Sequence, residues 1–459
     1  MSAFHAYDIR AIYGEGIDEV LAYRAGRAFG DHMGAKRVLG GHDARTHSAS
    51  LYRAFSAGVR STGAQVAGVG LVSTPCLHYL QLTRGYDAGF MTTASHNPPR
   101  YHGFKLYDGV GGSVSYAKGL SAIEAAVAAD DTPLPEDLPE PQLDSGSRDE
   151  ALDDYVRFAC TPLLDADQAL SSVRGAKVVI DASNGSAGEL VRRACALLDL
   201  DAEVLNAEPD GSFPAHVPNP LEEASQRAVC EGIREHGAEL GCILDGDGDR
   251  VIFVDDRAEV VSSSFAGALI ARELLNESAG GAIVYDLISS RVFAEEIEQA
   301  GGVPVKSKVG YTHLYDQMAA HDALYGNEAS GHVYFRVDDT LITESSIFAL
   351  AVLMRLLRRS GASLGELVAP LRQRYIQRGE HNVTLREDQP VAEVLERVRT
   401  TFADAEQEEL DGISVSYDRF WFNVRPSNTE PLLRLRLEAV DEASAAEGTE
   451  RVLAAIEGK

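Results

Sequence analysis

Residues 37–72 read RVLGGHDARTHSASLYRAFSAGVRSTGAQVAGVGLV and indicate how the chain is built. A strand-like apolar run (37–41) comes first, a helical pattern (51–63) follows, and a second strand-like run (65–72) ends the stretch. A third apolar run, YDAGFM, occupies residues 86–91. This alternation is typical of β-α-β units and predicts a mostly parallel, buried sheet.

The same rhythm continues along the chain, which at 459 residues is too long for one ordinary core. A proline- and acid-rich linker is expected at 130–150, and a long helix is predicted over 342–361. Near the C-terminus, LLRLRLEAV (432–440) alternates as a half-buried antiparallel strand does. We therefore expect three α/β units and a smaller α+β unit, divided as 1–148, 149–255, 256–370 and 371–459.

Composition excludes several functional classes. The net charge of −28 disfavours binding to nucleic acid or to anionic membranes. The N-terminus lacks a signal-peptide pattern, and the longest apolar stretch (260–271) is too short and polar to span a bilayer, so we expect a cytoplasmic protein. Only seven of the 42 basic residues are lysine, which suggests adaptation to high salt. Five scattered cysteines indicate neither disulfides nor a zinc site.

A cluster of acidic residues, DGDGDR (245–250), places Asp245, Asp247 and Asp249 two positions apart with glycines between them. In a tight loop the three carboxylates can converge on one hard cation such as Mg²⁺ or Ca²⁺. An EF-hand is disfavoured because its sixth loop position is glycine and this chain has Arg250 there. An exposed acidic hairpin turn is the simpler alternative.

Two further stretches carry groups that bind phosphate or sugar. In VRPSNTEP (424–431), an arginine, two hydroxyls and an amide could hold a phosphate, although a proline turn explains the pattern equally well. The members of this anion clamp are Arg425, Ser427, Asn428 and Thr429. In YGNEASGHVYF (325–335), Glu328 and Ser330 suit vicinal hydroxyls, and His332 could transfer a proton, contact phosphate or serve only a structural role.

The segment TTASHNPPRYHGFK (92–105) presents Ser95 in a proline-containing loop. A serine beside a divalent cation can carry a phosphoryl group covalently. Lys105, His96 and His332 are candidates for proton transfer. The chain contains neither GxSxG nor GxxxxGK[ST], which argues against a serine hydrolase and a P-loop NTPase.

Taken in order, TTASHNPP, DGDGDR, GNEASGH and RPSNTEP resemble the motifs of the α-D-phosphohexomutases. YDIR (7–10) and PDGSFPAHVPNP (209–220) are also similar to that family. The resemblance covers nearly the whole chain. It implies three similar mixed α/β-sheet domains and a smaller C-terminal α+β domain around a central cleft. It also implies interconversion of hexose 1-phosphate and hexose 6-phosphate through a hexose 1,6-bisphosphate.

Carried over by motif, the resemblance implies a role for each candidate. Ser95 corresponds to the phosphorylated serine, and Asp245, Asp247 and Asp249 correspond to Mg²⁺ ligands, with an oxygen on Ser95 as a further ligand. Basic groups near the reacting phosphate correspond to Arg10, Lys105 and Arg250. The sugar loop corresponds to Glu328, Ser330 and His332, and the clamp on the non-reacting phosphate to Arg425, Ser427, Asn428 and Thr429.

Several positions depart from the family pattern and bear on the preferred sugar. They are His102 before GFK, Asn327 in the sugar loop, Tyr311 after a glycine where many phosphomannomutases have histidine, and Ile288 where a basic residue is often found. GFK and RPSNTEP fit the mannose/glucose branch. A phosphoglucosamine mutase, a non-catalytic sugar-phosphate-binding protein and a serine phosphatase are the alternatives.

Overall fold

The computed structural model of the protein describes residues 2–164, 169–278, 280–386, 389–427 and 432–458. Within those residues four sheets follow one another along the chain, three with five strands and one with six. The expected three mixed-sheet α/β domains and smaller C-terminal domain are confirmed. No helix in these described ranges is both long enough and apolar enough to cross a membrane.

The first domain carries the N-terminal half of the candidate site. Its elements are β1 (Ile9–Ile12), α1 (Glu19–Met33), β2 (Arg37–His42), α2 (Ser48–Ser61), β3 (Gln65–Leu71), α3 (Thr74–Thr83), β4 (Ala88–Thr92), β5 (Tyr101–Tyr107), a 3-10 turn (Tyr116–Lys118) and α4 (Leu120–Ala129). The second domain comprises α5 (Arg148–Ala159), α6 (Thr161–Leu164), α7 (Ala169–Val173), β6 (Lys177–Asp181), α8 (Gly188–Leu197), β7 (Asp201–Leu205), α9 (Glu223–His236), β8 (Leu240–Leu244), β9 (Val251–Val254) and β10 (Val260–Val261).

The third and fourth domains follow without a long linker. The third comprises α10 (Ser263–Ser278), β11 (Ala282–Asp286), α11 (Arg291–Gln299), β12 (Val303–Ser307), α12 (Tyr311–His321), β13 (Tyr325–Asn327), β14 (Val333–Arg336), β15 (Ile342–Glu344), α13 (Ser346–Ser360) and α14 (Leu364–Arg372). The fourth comprises β16 (Ile376–Gln377), β17 (His381–Thr384), α15 (Val391–Thr401), β18 (Glu406–Glu408), β19 (Ile413–Ser416), β20 (Phe420–Pro426), β21 (Leu432–Ala439) and α16 (Glu442–Glu457).

The first three sheets share one strand arrangement: β1-β5-β4-β2-β3, β10-β9-β8-β6-β7 and β15-β14-β13-β11-β12. In each sheet two neighbouring pairs are parallel and two are antiparallel. In each sheet four strands run in one direction, and only the strand after the reversal (β5, β9 or β14) runs against them, so the sheet predicted as mostly parallel is a mixed one. The chain turns back after the third parallel strand of each unit, and a tight reversal requires no crossover helix.

That reversal is where the sequence motifs lie. In the first three domains it joins β4 to β5, β8 to β9 and β13 to β14, and its residues are 93–100, 245–250 and 328–332. In the fourth domain, β20 and β21 are antiparallel neighbours, and residues 428–431 between them lie outside the described residues. The motifs of the first three domains thus occupy topologically equivalent hairpin connections.

Packing of the core fixes how these hairpins face one another. One continuous hydrophobic cluster includes Leu39 of the first domain, Leu190 of the second and Ile347 of the third. The fourth domain has a separate cluster around Phe402 and Phe422. The first three domains therefore share a common core, which holds their motif loops in a fixed relation.

The helix expected over residues 342–361 is shorter than the prediction. Residues 342–344 form β15, which pairs with β14 in an antiparallel register. Helix α13 begins only at Ser346, because the side chain of Ser345 accepts a hydrogen bond from the backbone N–H of Phe348 and caps the helix. The apolar periodicity of the sequence does not indicate this boundary. Glu344 is therefore the last residue of β15, where it contacts His332 of the candidate site.

Candidate active site

Three of the four motif loops meet directly. The Ser95 hydroxyl of the first domain donates to Asp245 Oδ2 of the second at 2.8 Å. Arg250, at the end of the acidic loop, forms a backbone bridge with His332 of the third domain. A Cβ on Gly246 would lie 2.7 Å from the Ser95 carbonyl oxygen, so glycine at this position permits the close approach of the two loops.

Ser95 occupies an unusual backbone conformation. Its φ is 49°, in the left-handed region that non-glycine residues rarely adopt. The side chain is buried, its Oγ lies 3.2 Å from His96 Nδ1, and its backbone N–H donates to Thr93 Oγ1 at 2.8 Å. Such strain persists only where surrounding contacts impose it, and it is typical of functional loops.

The acidic loop concentrates three buried carboxylates. Oxygens of Asp245, Asp247 and Asp249 all lie within 4.8 Å of one another. Gly248 has a φ of +77°, which lets the loop turn tightly enough to bring them together. Asp247 Oδ1 and Asp249 Oδ1 are buried and have no hydrogen-bond partner among the described atoms. These free oxygens fit a divalent cation with oxygen ligands.

Burial and repulsion between the carboxylates change the pKa of Asp245 in this loop. The pKa of Asp245 is raised well above its usual value, first by burial and then by the charges of Asp249 and Asp247. The loop is also tied to the first domain, because Thr74 Oγ1 donates to Asp247 Oδ2 at 2.7 Å. A positive partner is therefore needed before all three carboxylates can ionise together.

Lys105 supplies part of that positive charge. Its ammonium group is buried, donates to Asp247 Oδ2 at 2.7 Å and also contacts Asp249. Burial alone lowers the pKa of Lys105, but the charges of Asp247 and Asp249 outweigh it and hold the pKa well above its usual value. Arg250 Nε lies 4.0 Å from Asp245 Oδ2 and 3.9 Å from Asp249 Oδ1.

Arg10 and His96 complete the surroundings of Ser95. Arg10 donates to Asn97 Oδ1 at 2.8 Å and pairs with Asp8. Burial, followed by the charges of Arg250 and Arg10, lowers the pKa of His96 well below its usual value. The imidazole beside Ser95 Oγ is therefore neutral near pH 7 and can accept a proton.

The third domain brings Glu328, Ser330 and His332 to the same region. Glu328 Oε1 accepts from the Gly310 N–H at 2.8 Å, and Ser330 Oγ donates to Glu328 Oε2 at 3.3 Å. His332 Nε2 donates to Glu344 Oε2 at 2.5 Å. Burial lowers the pKa of His332, but the charge of Asp249 and the hydrogen bond to Glu344 raise it above its usual value.

Asp286, next to this loop, is a further buried carboxyl that the sequence did not indicate as a candidate. Asp286 accepts from the Ala329 N–H at 2.9 Å and from Ser289 Oγ at 2.6 Å. Burial, and next the charge of Glu328, raise the pKa of Asp286 to about 7. The charge of Arg425 acts on the pKa of Asp286 in the opposite direction and lowers it.

The C-terminal motif is only partly described. Arg425 donates to Glu380 at 3.0 Å, and the Ser427 N–H donates to the Leu432 carbonyl at 2.9 Å. Asn428 and Thr429 lie outside the described residues. Within the described ranges, the direct polar contacts of Arg425 are with Glu380 and not with the Ser95 group.

Four departures from the family pattern are also located. Tyr311 is half-buried beside His332, with ring centroids 5.6 Å apart, and its hydroxyl donates to the Tyr7 carbonyl at 3.1 Å. His102 lies against His47 and Tyr13. Burial lowers its pKa to about 4, although the charge of Asp43 acts to raise it. Asn327 Oδ1 accepts from the Tyr325 hydroxyl at 3.0 Å. Ile288, between β11 and α11, lies at the same sheet edge as Asp286.

Comparison with known families identifies the whole chain. Models described as Phosphoglucomutase/phosphomannomutase, alpha/beta/alpha domains I, II and III match residues 1–133, 153–258 and 263–375. The model described as Phosphoglucomutase/phosphomannomutase, C-terminal domain matches residues 380–455. The four models occur in consecutive order and together span most of the sequence.

Individual relatives agree. A phosphomannomutase of Methanocaldococcus jannaschii is 35% identical over 453 residues, covering 98% of this chain and 97% of that protein. A Xanthomonas campestris protein named phosphohexose mutases is 34% identical over 449 residues, covering 97% of each. The crystal structure of a Burkholderia thailandensis phosphoglucomutase/phosphomannomutase family protein superposes with a TM-score of 0.85 at 27% identity, covering 99% and 97% of the two chains. The chain therefore belongs to the phosphoglucomutase/phosphomannomutase family and is a mutase, an enzyme of the isomerase class.

Proposed function

We propose that the protein interconverts the 1- and 6-phosphates of mannose, glucose or both, through a phosphoserine at Ser95 and a hexose 1,6-bisphosphate. The observation that carries the proposal is the 2.8 Å contact of Ser95 Oγ with Asp245, in a loop of three buried carboxylates with unpartnered oxygens. Phosphoryl transfer needs a positioned oxygen nucleophile, a divalent cation and nearby cations, and residues for all three converge at this point.

Each half of the reaction moves one PO₃ group. In the first half, the bond from phosphorus to Ser95 Oγ breaks, and a bond forms from phosphorus to the free sugar hydroxyl, which loses its proton. The serine oxygen regains a proton as it leaves. His96, with Nδ1 3.2 Å from Oγ, is placed to exchange that proton. In the second half, the other phosphate of the bisphosphate returns to Ser95 by the same steps.

Positive charge near Ser95 offsets the charge on the transferring oxygens. Lys105, Arg250 and Arg10 surround the loop at the distances described above. Mg²⁺, held by Asp245, Asp247, Asp249 and an oxygen on Ser95, would add a compact divalent charge at the phosphoryl group when bound. The three carboxylates also orient Lys105, which contacts two of them.

Turnover requires the bisphosphate to bind in two orientations. We assign Glu328 and Ser330 to the sugar hydroxyls, His332 to a phosphate contact or proton transfer, and Arg425, Ser427, Asn428 and Thr429 to the non-reacting phosphate. Contacts between the third and fourth domains are consistent with this assignment: the Arg291 N–H donates to Glu438 Oε1 at 3.0 Å, and Arg291 Nη2 donates to the Tyr417 carbonyl at 3.1 Å. Domain divisions at 148, 255 and 370 also stay a proposal, although β10 pairs with β9 and extends the second sheet past residue 255.

The proposal is tested with protein whose Ser95 phosphorylation is known from intact-mass spectrometry. Mannose 1-phosphate, Mg²⁺ and a trace of hexose 1,6-bisphosphate should give mannose 6-phosphate, with glucose and glucosamine phosphates compared by kcat/KM. We expect Ser95→Ala to lower turnover by about 10³-fold or more. Wild-type turnover by Ser95→Ala would refute the phosphoserine. Stoichiometric release of inorganic phosphate would indicate a phosphatase, and ligand binding without turnover a binding protein.

A further inference from the structure

Arg45 is a buried arginine that the motifs do not include. It lies between β2 and α2, and its side chain is fully shielded from solvent. Nη2 donates to the carbonyls of Ser95 and Asn97, both at 2.6 Å. Nη1 donates to the carbonyls of Pro98 at 2.9 Å and Tyr101 at 3.0 Å. One guanidinium therefore gathers four carbonyls of the loop that carries Ser95.

The fifth N–H of Arg45 is also used. Nε donates to Asp43 Oδ2 at 3.1 Å, so five contacts account for the five N–H groups of a guanidinium. The face of the guanidinium lies 5.1 Å from the ring centroid of Phe213 in the second domain. Because no donor is left over, Arg45 acts on the loop backbone and has no N–H free to hold a substrate phosphate.

Asp43 connects Arg45 to the backbone amide of Ser95 through Thr93. Its carboxylate accepts from Thr93 Oγ1 at 2.7 Å and from Ser48 Oγ at 2.5 Å. Thr93 Oγ1 in turn accepts from the Ser95 N–H at 2.8 Å. The carbonyl and the amide of Ser95 are thus both fixed by the Asp43–Arg45 ion pair, the carbonyl directly and the amide through Thr93.

This arrangement explains how Ser95 keeps a left-handed φ of 49°. Four buried carbonyls pointing toward one site repel one another and cost free energy unless a donor satisfies each of them. A planar fork can satisfy all four at once, whereas an ammonium group has only three donors. The strained conformation directs Oγ at Asp245, where the phosphoryl group has to be transferred.

We propose that Asp43 and Arg45 are positioning residues for phosphoryl transfer: the pair holds the Ser95 loop so that Oγ faces the acidic loop. This inference rests on the proposed function for its kinetic consequence. Its structural consequence, a loop held by one guanidinium, does not depend on which reaction the enzyme catalyses.

The test compares Arg45→Met and Arg45→Lys with Arg355→Met. Arg355 is a matched control, because it is also a largely buried arginine bonded to carboxylates, Glu273 and Glu277, on α13 away from the Ser95 loop. Backbone amide hydrogen exchange is measured at Ser95, Asn97 and Tyr101, whose N–H groups are all bonded within the loop. Steady-state kcat and KM are measured on the same samples.

We expect Arg45→Met to speed exchange at those three amides by about tenfold or more relative to amides of the common core. It should lower kcat by about 100-fold with little change in KM, because misplacement of a reacting atom by about 1 Å has that effect. Arg45→Lys should recover part of kcat. Arg355→Met should lower global stability while leaving kcat and loop exchange near wild type.

Equal loss of kcat in Arg355→Met and Arg45→Met, or unchanged loop exchange in Arg45→Met, would overturn the inference. Should Arg45→Met fail to fold, Asp43→Asn and Arg45→Lys provide the same readouts. If the wild-type protein lacks mutase activity, the proposed function fails, and the exchange data alone still decide whether Arg45 holds the loop.

Discussion

Ser95 Oγ and Asp245 Oδ2 lie 2.8 Å apart although the two residues are 150 positions apart in the chain. They belong to equivalent hairpins of two domains, so repetition of one supersecondary unit places a hydroxyl opposite a carboxylate loop. The same repetition brings the third hairpin, with His332, against Arg250. Convergence of the site follows from the arrangement of the three sheets on their shared core.

Because the backbone at Ser95 is strained, we predict that a glycine variant is at least as stable as an alanine variant, the reverse of the usual order. Ser95→Gly and Ser95→Ala both remove the hydroxyl and should both abolish turnover. Only glycine adopts a φ of 49° without strain, so Ser95→Gly should be at least as stable as Ser95→Ala, by up to about 1 kcal/mol. Urea unfolding midpoints measure the difference. A glycine variant clearly less stable than the alanine variant would show that the loop is not strained.

The buried ion pairs of Lys105 predict that bound Mg²⁺ affects the unfolding temperature of a Lys105 variant. Lys105→Met leaves Asp247 and Asp249 buried without their ammonium partner, a change that typically costs about 3–5 kcal/mol. In the presence of a chelator, we expect Lys105→Met to unfold at a clearly lower temperature than wild type. Adding millimolar Mg²⁺ should raise the unfolding temperature of the variant more than that of wild type. Lys118→Met, which breaks an exposed pair with Asp316, is the control and should show neither effect. A fall in the unfolding temperature of Lys105→Met that Mg²⁺ does not reverse would contradict the prediction.

The contact between His332 and Glu344 predicts a kinetic effect on turnover. Glu344→Gln keeps the shape of the side chain but weakens the 2.5 Å hydrogen bond that fixes the His332 ring. We expect kcat to fall by about 10- to 100-fold while KM stays nearly constant. Glu344→Asp should retain an intermediate kcat. A rise in KM at unchanged kcat would instead place Glu344 in substrate binding.

His216 predicts a pH-dependent contribution to stability. Its Nδ1 faces the Val217 carbonyl at 2.8 Å and its Nε2 faces Asp181 at 3.1 Å, so the doubly protonated ring satisfies both acceptors. Burial lowers the pKa of His216, but these two hydrogen bonds outweigh it and raise the pKa above its usual 6.5. The folded state therefore holds this proton more tightly than the unfolded state, and the stabilisation is complete below pH 6.5 and lost as pH rises through the folded pKa.

Urea unfolding of wild type and His216→Gln between pH 5.5 and 8.5 measures this contribution. The loss of unfolding free energy on substitution should be largest at the acidic end and shrink toward pH 8.5. A difference that stays constant, or grows with pH, would mean that His216 is neutral in the folded protein.

Most of the fold was predictable because β-α-β alternation is visible in short stretches such as 37–72. The single antiparallel strand of each sheet was not predicted, since a reversal and a crossover give similar apolar runs at this length. The acidic loop was predictable because Asp245, Asp247 and Asp249 are neighbours in sequence and need only one tight turn to converge.

Glu344 and Arg45 were not predictable, for a different reason. Glu344 lies just before the apolar run of α13 and fits its helical pattern, and the change to a strand depends on pairing with β14 and on the Ser345 cap. Arg45 stands in an ordinary polar turn, and its importance lies entirely in carbonyls about 50 residues away. Neither partner set leaves a local signature in the sequence.

The separate core of the fourth domain bears on how such enzymes diversify. Outside its own apolar cluster the domain is anchored by polar contacts, such as Glu438 with the Arg291 N–H. Substitutions within this cluster could therefore accumulate without disturbing the packing that places the serine and the acidic loop. The other three domains share one hydrophobic cluster, so substitutions within it affect the packing of all three.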